Sequence, residues 1–241
     1  MRKIKNLVAC AVVAVSTAAS ADPMITVNWA SPIFSPWGSV DVGTVTHPDG
    51  TTGTNAGRFR GTATPNAEID PSELINPNPD FFAYCHDLAE TIQSGAAYTV
   101  SFGASQVMRD WLGAVNSVLT SLGHLNGDYG WLLPPDKNTS AAIQLGIWEA
   151  LHNDNFVLGT GAVRFSYIPA SVMTIFQSFN SARGAASPDL DNSLVMVLTH
   201  DGRQDVITGR NPPDLLIPEP GTLVLLGAAA AIAGLARRRR H

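Results

Sequence analysis

The sequence predicts an α+β domain in which a mostly antiparallel sheet carries about three helices packed to one side. Strand-like segments fill the first third of the body, segments with helical spacing follow, and buried strands return near the end. This order draws one sheet from both ends of the chain and leaves the helices on one face. We expect a single domain over residues 22–208, a signal helix at 1–21, a linker at 209–217 and a tail with a membrane helix at 218–241.

Residues 1–21 have the pattern of a secretory signal. Arg2, Lys3 and Lys5 form a basic end, Leu7–Val15 forms an apolar centre, and Ala19–Ala21 forms a small-residue cleavage site. We expect this segment to direct the chain to the secretion translocon and to be removed.

The first third of the body predicts β-structure, because it combines turn-forming residues with short β-branched or alternating segments. The predicted strands are Ile25–Trp29, Val40–Thr46 and Arg58–Thr62. Asp49-Gly50 is a turn signal, and Pro71–Pro79 is expected to be a loop.

The segment Phe81–Leu88 predicts a buried strand. Alternation puts Cys85 on the face that carries Phe81 and Ala83, and it puts His86 on the opposite face. Neighbouring positions in the sequence therefore do not make Cys85 and His86 a reactive pair.

Helical spacing begins after a further strand at Tyr98–Phe102. Ser105 is placed to cap the first helix and Gly123 to close it. The second helix runs through Leu151, and its predicted cap is Asn138, Thr139 or Ser140. The remaining expected elements are a helix at Ala170–Arg183, a strand at Ser193–Thr199, an Asp201-Gly202 turn and a short strand near Val206.

Gln144 lies in the middle of the buried stripe of the second helix, between the directions of Ile147 and Trp148. A buried primary amide costs about 1–3 kcal/mol unless its hydrogen bonds are satisfied. The sequence therefore predicts a specific partner for this side chain.

Charge and cysteine content narrow the possible functions. The body between signal and tail holds 19 of the 20 acidic residues but only 8 of the 15 basic ones, with Lys137 as its single lysine. This acidic balance argues against nucleic acid and anionic lipid as partners.

Cys10 lies in the signal, so Cys85 is the lone cysteine of the exported body, and we expect a free, intermolecularly paired or otherwise modified thiol.

The tail has three parts in a fixed order. Pro218, Glu219 and Pro220 interrupt any helix, the uncharged run Thr222–Ala236 follows, and a basic cluster closes the segment with Arg237, Arg238, Arg239 and Arg240. The run is short of the ~20 residues that span a bilayer, so we expect it to recruit residues 215–217 or to thin the membrane. The arginines are expected to stay on the cytoplasmic side.

This tail resembles the PEP-CTERM sorting signal of exported bacterial proteins. The resemblance implies transient anchoring in the inner membrane, cleavage near Pro218, Glu219 and Pro220 by an exosortase-type protease, and delivery to the cell surface or extracellular matrix.

A second resemblance covers roughly residues 81–151. Tyr84-Cys85 and the later segment Ile143–Trp148 look like the paired motifs of the Cys–Gln thioester domains of bacterial surface adhesins. The resemblance implies that Cys85 is the thiol and Gln144 the acyl donor of an internal thioester. Tyr84, Trp148 and His152 would border this site. The chain departs from the pattern at Gly146, where such helices more often carry Ala, and in its N-terminal region.

These features predict an exported surface or matrix protein, with covalent adhesion to an amine- or hydroxyl-bearing surface through the thioester. Gln144 is expected in or near the first helical turn, where the helix dipole would favour charge on an attacked carbonyl. In the alternative, Cys85 is a small buried residue and Gln144 bonds a backbone edge, in a non-reactive structural or carbohydrate-associated matrix protein.

Other chemistries find less support in the sequence. A cysteine hydrolase would need His124 or His152 to reach Cys85. His47, His86 and His200 lack metal-ligand spacing, and no phosphate-binding loop is present. We therefore expect neither an enzyme nor a bound metal or cofactor.

Overall fold

The computed structural model describes residues 21–212, apart from 35, 49, 77–79, 125–126, 154 and 185–188. Residues 1–20 of the predicted signal, the whole predicted sorting tail and most of the predicted linker lie outside the described residues. Within the described ranges, no helix combines the length and the apolar character needed to cross a membrane.

The described residues contain nine strands and three α-helices. The strands are β1 Met24–Trp29, β2 Val40–His47, β3 Gly50–Ala56, β4 Phe59–Pro65, β5 Phe81–Cys85, β6 Ala96–Phe102, β7 Arg164–Phe165, β8 Val195–Thr199 and β9 Val206–Gly209. The helices are α1 Gln106–Ser121, α2 Lys137–His152 and α3 Ala170–Ala182. The predicted α+β class and antiparallel pairing are confirmed.

Six strands close into an antiparallel barrel in the order β1-β4-β5-β9-β8-β6. The closing pairs join distant parts of the chain, since Tyr98 of β6 faces Ile25 of β1 and Cys85 of β5 faces Val206 of β9. Cross-strand partners share a face of a sheet. Alternate barrel residues therefore fill the interior, and β5 is buried along its whole length because α2 covers its other face.

A second, three-stranded sheet has the order β3-β2-β7. β2 and β3 form a hairpin in which His47 pairs with Gly50, and both strands contact α2. The helix α2 is thus enclosed by the barrel, this hairpin and the other two helices. All residues from Thr139 to Ala150 are buried.

The helices pack around Trp111 of α1. Its ring lies 5.1 Å from Phe156, 5.2 Å from Phe176 and 5.9 Å from Phe179, and its indole N–H donates to the Ile143 carbonyl at 3.2 Å. A Cβ on Gly146 would lie 1.9 Å from a Trp111 ring carbon. The departure from the thioester-domain pattern at this position therefore has a packing cause.

The structure confirms the predicted N-terminal cap of α1 and corrects that of α2. Ser105 caps α1 and accepts the Met108 N–H at 3.2 Å, as predicted. The predicted caps Asn138, Thr139 and Ser140 of the second helix are wrong, because Asp136 caps α2 by accepting the Thr139 N–H at 2.8 Å.

Candidate functional site

The backbone of Cys85 lies at the end of β5, beyond the part that pairs with β4. β4 begins at Phe59, which faces Ala83, so no strand residue faces Cys85 on that side. On the β9 side, the His86 N–H donates to the Asp205 carbonyl at 2.8 Å. Because antiparallel strands alternate their hydrogen-bonding direction, the N–H and C=O of Cys85 point toward the vacant side.

The amide group of Gln144 occupies the side of Cys85 that β4 leaves unpaired. Its Oε1 accepts the Cys85 N–H at 2.9 Å, and its Nε2 donates to the Cys85 carbonyl at 2.8 Å. Gln144 is 1% exposed and Cys85 is 2% exposed. The predicted need for a specific amide partner is met by the backbone of the residue that bears the thiol.

Gln144 does not lie in the first turn of its helix. It is two full turns inside α2, which begins at Lys137. The effect of the helix dipole falls off within the first turn. The prediction that the N-terminus of the helix favours charge on the Gln144 carbonyl is therefore wrong, and the N–H of Cys85 is the donor found at that oxygen.

The sulfur of Cys85 has three polar neighbours. The indole N–H of Trp148 points at Sγ over 3.4 Å, and Nε2 of Gln204 contacts Sγ as well. The thiol itself faces the carbonyl oxygen of Asp87. Trp148 follows Gln144 by one helical turn, so both side chains leave the same face of α2.

Burial raises the pKa of the Cys85 thiol well above its usual range, and the negative charge of Asp87 raises it further. The Trp148 hydrogen bond acts in the opposite direction. Reactive catalytic cysteines have a lowered pKa, because the thiolate is the nucleophile. The environment of Cys85 is therefore that of a protonated thiol at neutral pH.

A cleft of about 190 Å³ reaches the sulfur. One side is the β2–β3 hairpin at Gly53, Thr54 and Asn55, and the remaining lining is mainly apolar, with Ile33, Phe34, Phe59, Ile92 and Trp148 beside Cys85 and Gln204. None of these side chains carries a charge. The cleft gives a small uncharged molecule or side chain a route to Cys85.

The three residues predicted to border the thioester site, Tyr84, Trp148 and His152, lie in different environments. Trp148 contacts the sulfur directly. The ring of Tyr84 stacks on Trp131 at 6.1 Å and its hydroxyl lies 3.5 Å from Ser140 Oγ, so it packs toward α2. His152 is exposed at the end of α2. Burial of His86, together with the charge of His152, lowers the pKa of His86 to about 4.

Gln204 was missed by the sequence analysis. It lies in the loop between β8 and β9, far from Cys85 in the chain, and only the β5–β9 pairing brings the two together. The same pairing brings together the carboxylates of Asp87, Glu90 and Asp205. One oxygen of each carboxylate lies within 4.8 Å of the other two. This cluster contributes negative charge next to the sulfur.

Residues 216–240 match the family model of the PEP-CTERM protein-sorting motif. The chain carries a PEP-CTERM sorting motif. This confirms the prediction from Pro218, Glu219 and Pro220, and it marks an exported protein that is transiently anchored at the membrane and processed there by an exosortase. The predicted arginine cluster Arg237–Arg240 lies within the matched residues.

The search of curated protein sequences finds no match. Among solved structures, the chain is similar to the thioester domain of the Staphylococcus aureus TIE protein, with 16% identity over 78% of each chain and a TM-score of 0.34. So remote a likeness carries no argument about chemistry.

Proposed function

We propose that Cys85 and Gln144 form an internal thioester, by which this PEP-CTERM protein attaches covalently to a surface that bears amine or hydroxyl groups. The observation that carries the proposal is the position of the Gln144 amide. Two hydrogen bonds hold it on the backbone of the residue that bears the thiol. The cleft is lined in part by Cys85, and an external nucleophile would enter there.

Formation of the bond requires no component from outside the chain. The sulfur of Cys85 forms a bond to Cδ of Gln144, the Cδ–Nε2 bond breaks, and the amide nitrogen leaves as ammonia with the thiol proton. The Cys85 N–H, at 2.9 Å from Oε1, stabilises negative charge on that oxygen during the attack. The reaction replaces a buried thiol and a buried primary amide by one bond.

In the capture step, an external nucleophile replaces the Cys85 sulfur on the acyl group of Gln144. An amine or hydroxyl enters the cleft and attacks Cδ of Gln144, the bond to sulfur breaks, and Cys85 regains a proton. The acyl group of Gln144 is then linked to the target, and Cys85 is a free thiol. Because the bond is consumed once, this function is stoichiometric and not enzymatic.

Burial protects the thioester before capture. Both partners are almost fully buried, and no residue that lines the cleft carries a charge. A water-poor site slows hydrolysis of a reactive intermediate. Lys137 is the one lysine in residues 22–217, so few amines of the chain itself compete with an external target.

The second candidate is a non-reactive structural or carbohydrate-associated matrix protein, delivered by the same tail. The two hydrogen bonds between Gln144 and the Cys85 backbone favour it, because they satisfy the buried amide without any chemistry. In that case Gln144 is a structural clamp for the end of β5.

The intact mass of the exported, processed protein distinguishes the two functions. The thioester predicts a mass lower than that of the sequence by one ammonia, no titratable thiol after unfolding, and release of one thiol when methylamine is added. Cys85→Ala is the control and keeps the full mass. An unchanged mass and one thiol in the unfolded wild-type protein would rule out the thioester and support the clamp.

A further inference from the structure

We infer that Gln204, together with Trp148, stabilises the sulfur of Cys85 as the leaving thiolate when the thioester opens. The inference deepens the proposed function and rests on it. It assigns a role in the opening step to a residue that touches a reacting atom and that neither the sequence pattern nor the sorting motif indicates.

Two N–H donors converge on one buried sulfur. Nε1 of Trp148 lies 3.4 Å from Sγ, and Nε2 of Gln204 contacts the same atom. A neutral thiol or thioether sulfur is a weak acceptor. Hydrogen bonds to an ionised acceptor are about twice as strong as those between neutral groups. The pair of donors therefore stabilises a negative sulfur more than a neutral one.

The orientation of the Gln204 amide is fixed by a second contact. Its Nε2 also lies 3.2 Å from the carbonyl oxygen of Asp87. A backbone carbonyl can only accept a hydrogen bond, so the nitrogen and not the oxygen of the amide must face this side. The same nitrogen is the atom in contact with Sγ.

Nearby carboxylates oppose ionisation of the sulfur. Asp87 follows the end of β5 and Asp205 precedes β9, and both charges oppose ionisation of Cys85, with Glu90 in the same carboxylate cluster. The β2–β3 hairpin contributes only uncharged residues to the cleft. Against these charges, the Trp148 hydrogen bond and a backbone hydrogen bond of Asp87 lower the pKa of Cys85, and Nε2 of Gln204 is a second side-chain donor at the sulfur.

The donors act in one defined step. The nitrogen of an attacking amine forms a bond to Cδ of Gln144, the Cδ–Sγ bond breaks, and its electron pair goes to sulfur. The proton lost from the nitrogen then moves to sulfur. The resulting thiol faces the Asp87 carbonyl, as Cys85 does in the structure.

The test compares Gln204→Leu with the wild type in the full exported protein. Intact mass is expected to show the thioester in both, because the substitution leaves Cys85 and Gln144 in place. The rate of thiol release by methylamine is expected to fall about tenfold, which is the effect of losing one hydrogen bond to a charged acceptor. Gln93→Leu, at an exposed position in the loop between β5 and β6, is the matched control and is expected to open at the wild-type rate.

Equal opening rates for Gln204→Leu and the wild type would overturn the inference. Gln204→Met, which has similar length and no donor, decides the case if Gln204→Leu does not fold. If the wild type shows no loss of ammonia, the proposed function fails, and alkylation of Cys85 by iodoacetamide tests the donor role separately. The donor role predicts about tenfold slower alkylation in Gln204→Leu at a fixed pH near neutrality, and an unchanged rate would refute it.

Discussion

The amide of Gln144 pairs with Cys85 as a β-strand residue would. It accepts from the Cys85 N–H at 2.9 Å and donates to the Cys85 carbonyl at 2.8 Å, at the place where β4 no longer accompanies β5. A side chain from α2 therefore completes the hydrogen bonding of the barrel. The same contact puts an acyl group next to a thiol, so its structural and chemical contributions have to be measured separately.

The structural contribution of Gln144 can be measured in a Cys85→Ala background, where no thioester forms. Gln144→Leu leaves the N–H and C=O of residue 85 buried without this partner. Each unsatisfied group costs about 1–3 kcal/mol, so we expect the free energy of unfolding to fall by about 2–6 kcal/mol. Urea unfolding provides the measurement.

Gln177→Leu in the same background is the control, because Gln177 is exposed on α3. Surface substitutions usually change stability by less than about 0.5 kcal/mol. If the two variants unfold at the same urea concentration, the Gln144 amide does not support β5.

Gly146→Ala tests the packing of α2 against Trp111. Alanine is favoured over glycine in a helix by about 1 kcal/mol, yet its Cβ would lie 1.9 Å from the Trp111 ring. That ring is held by Phe156 and Phe176, so it cannot move without disturbing the helical core. We expect a net loss of about 2 kcal/mol or more in the free energy of unfolding, measured by denaturant titration.

A double variant checks the cause of that loss. In Trp111→Leu the ring is absent, and adding Gly146→Ala is expected to cost much less than it does in the wild type. The difference is the coupling free energy between the two positions. Additive effects would show that Gly146 is required for a reason other than the Trp111 ring.

Local periodicity predicted the burial of Cys85 and Gln144, whereas their pairing was indicated by the resemblance to thioester domains. Two-residue alternation placed Cys85 in a buried strand, and helical spacing placed Gln144 in the buried stripe of its helix. The demand of a buried amide for hydrogen bonds predicted that Gln144 has a specific partner, and the structure supplies one in Cys85. These inferences depend only on the spacing of neighbouring residues.

Long-range pairing could not be predicted in the same way. Closure of the barrel depends on β5 meeting β9 and on β1 meeting β6, which no short-range pattern encodes. Gln204 reaches the sulfur only through the first of these pairings. The hairpin strand β3, rich in glycine and threonine, has too little hydrophobic alternation to be recognised in the sequence.

Asp136→Ala tests the corrected start of α2. The carboxylate of Asp136 accepts the Thr139 N–H at 2.8 Å, so its loss is expected to lower the free energy of unfolding by about 1 kcal/mol. Asn138→Ala is the control, since Asn138 lies inside the helix and is expected to change stability by less than about 0.5 kcal/mol. A larger effect at Asn138 than at Asp136 in thermal unfolding would restore the cap predicted from the sequence.

Ionisation of Glu149 makes the free energy of unfolding depend on pH, and one substitution can separate this contribution from the others. The side chain is fully buried in α2 and its Oε1 accepts from Asn153 Nδ2 at 3.0 Å. Burial raises the pKa of Glu149 from 4.5 to about 7, although hydrogen bonds from Asn153 and Val157 act in the opposite direction. The unfolded chain therefore releases this proton at a lower pH than the folded protein does. Stability from Glu149 is complete below about pH 4.5 and is lost as the pH rises to 7.

Glu149→Gln keeps the shape and the Asn153 contact but does not ionise. We expect it to be more stable than the wild type by roughly 2–3 kcal/mol at pH 8 and close to the wild type at pH 4.5. The comparison uses urea unfolding of both proteins at each pH, which cancels the contribution of His86. That contribution has the opposite sign, because the lowered pKa of His86 removes stability as the pH falls from 6.5 to about 4. A stability difference that is the same at pH 4.5 and pH 8 would show that Glu149 ionises equally in the folded and unfolded states.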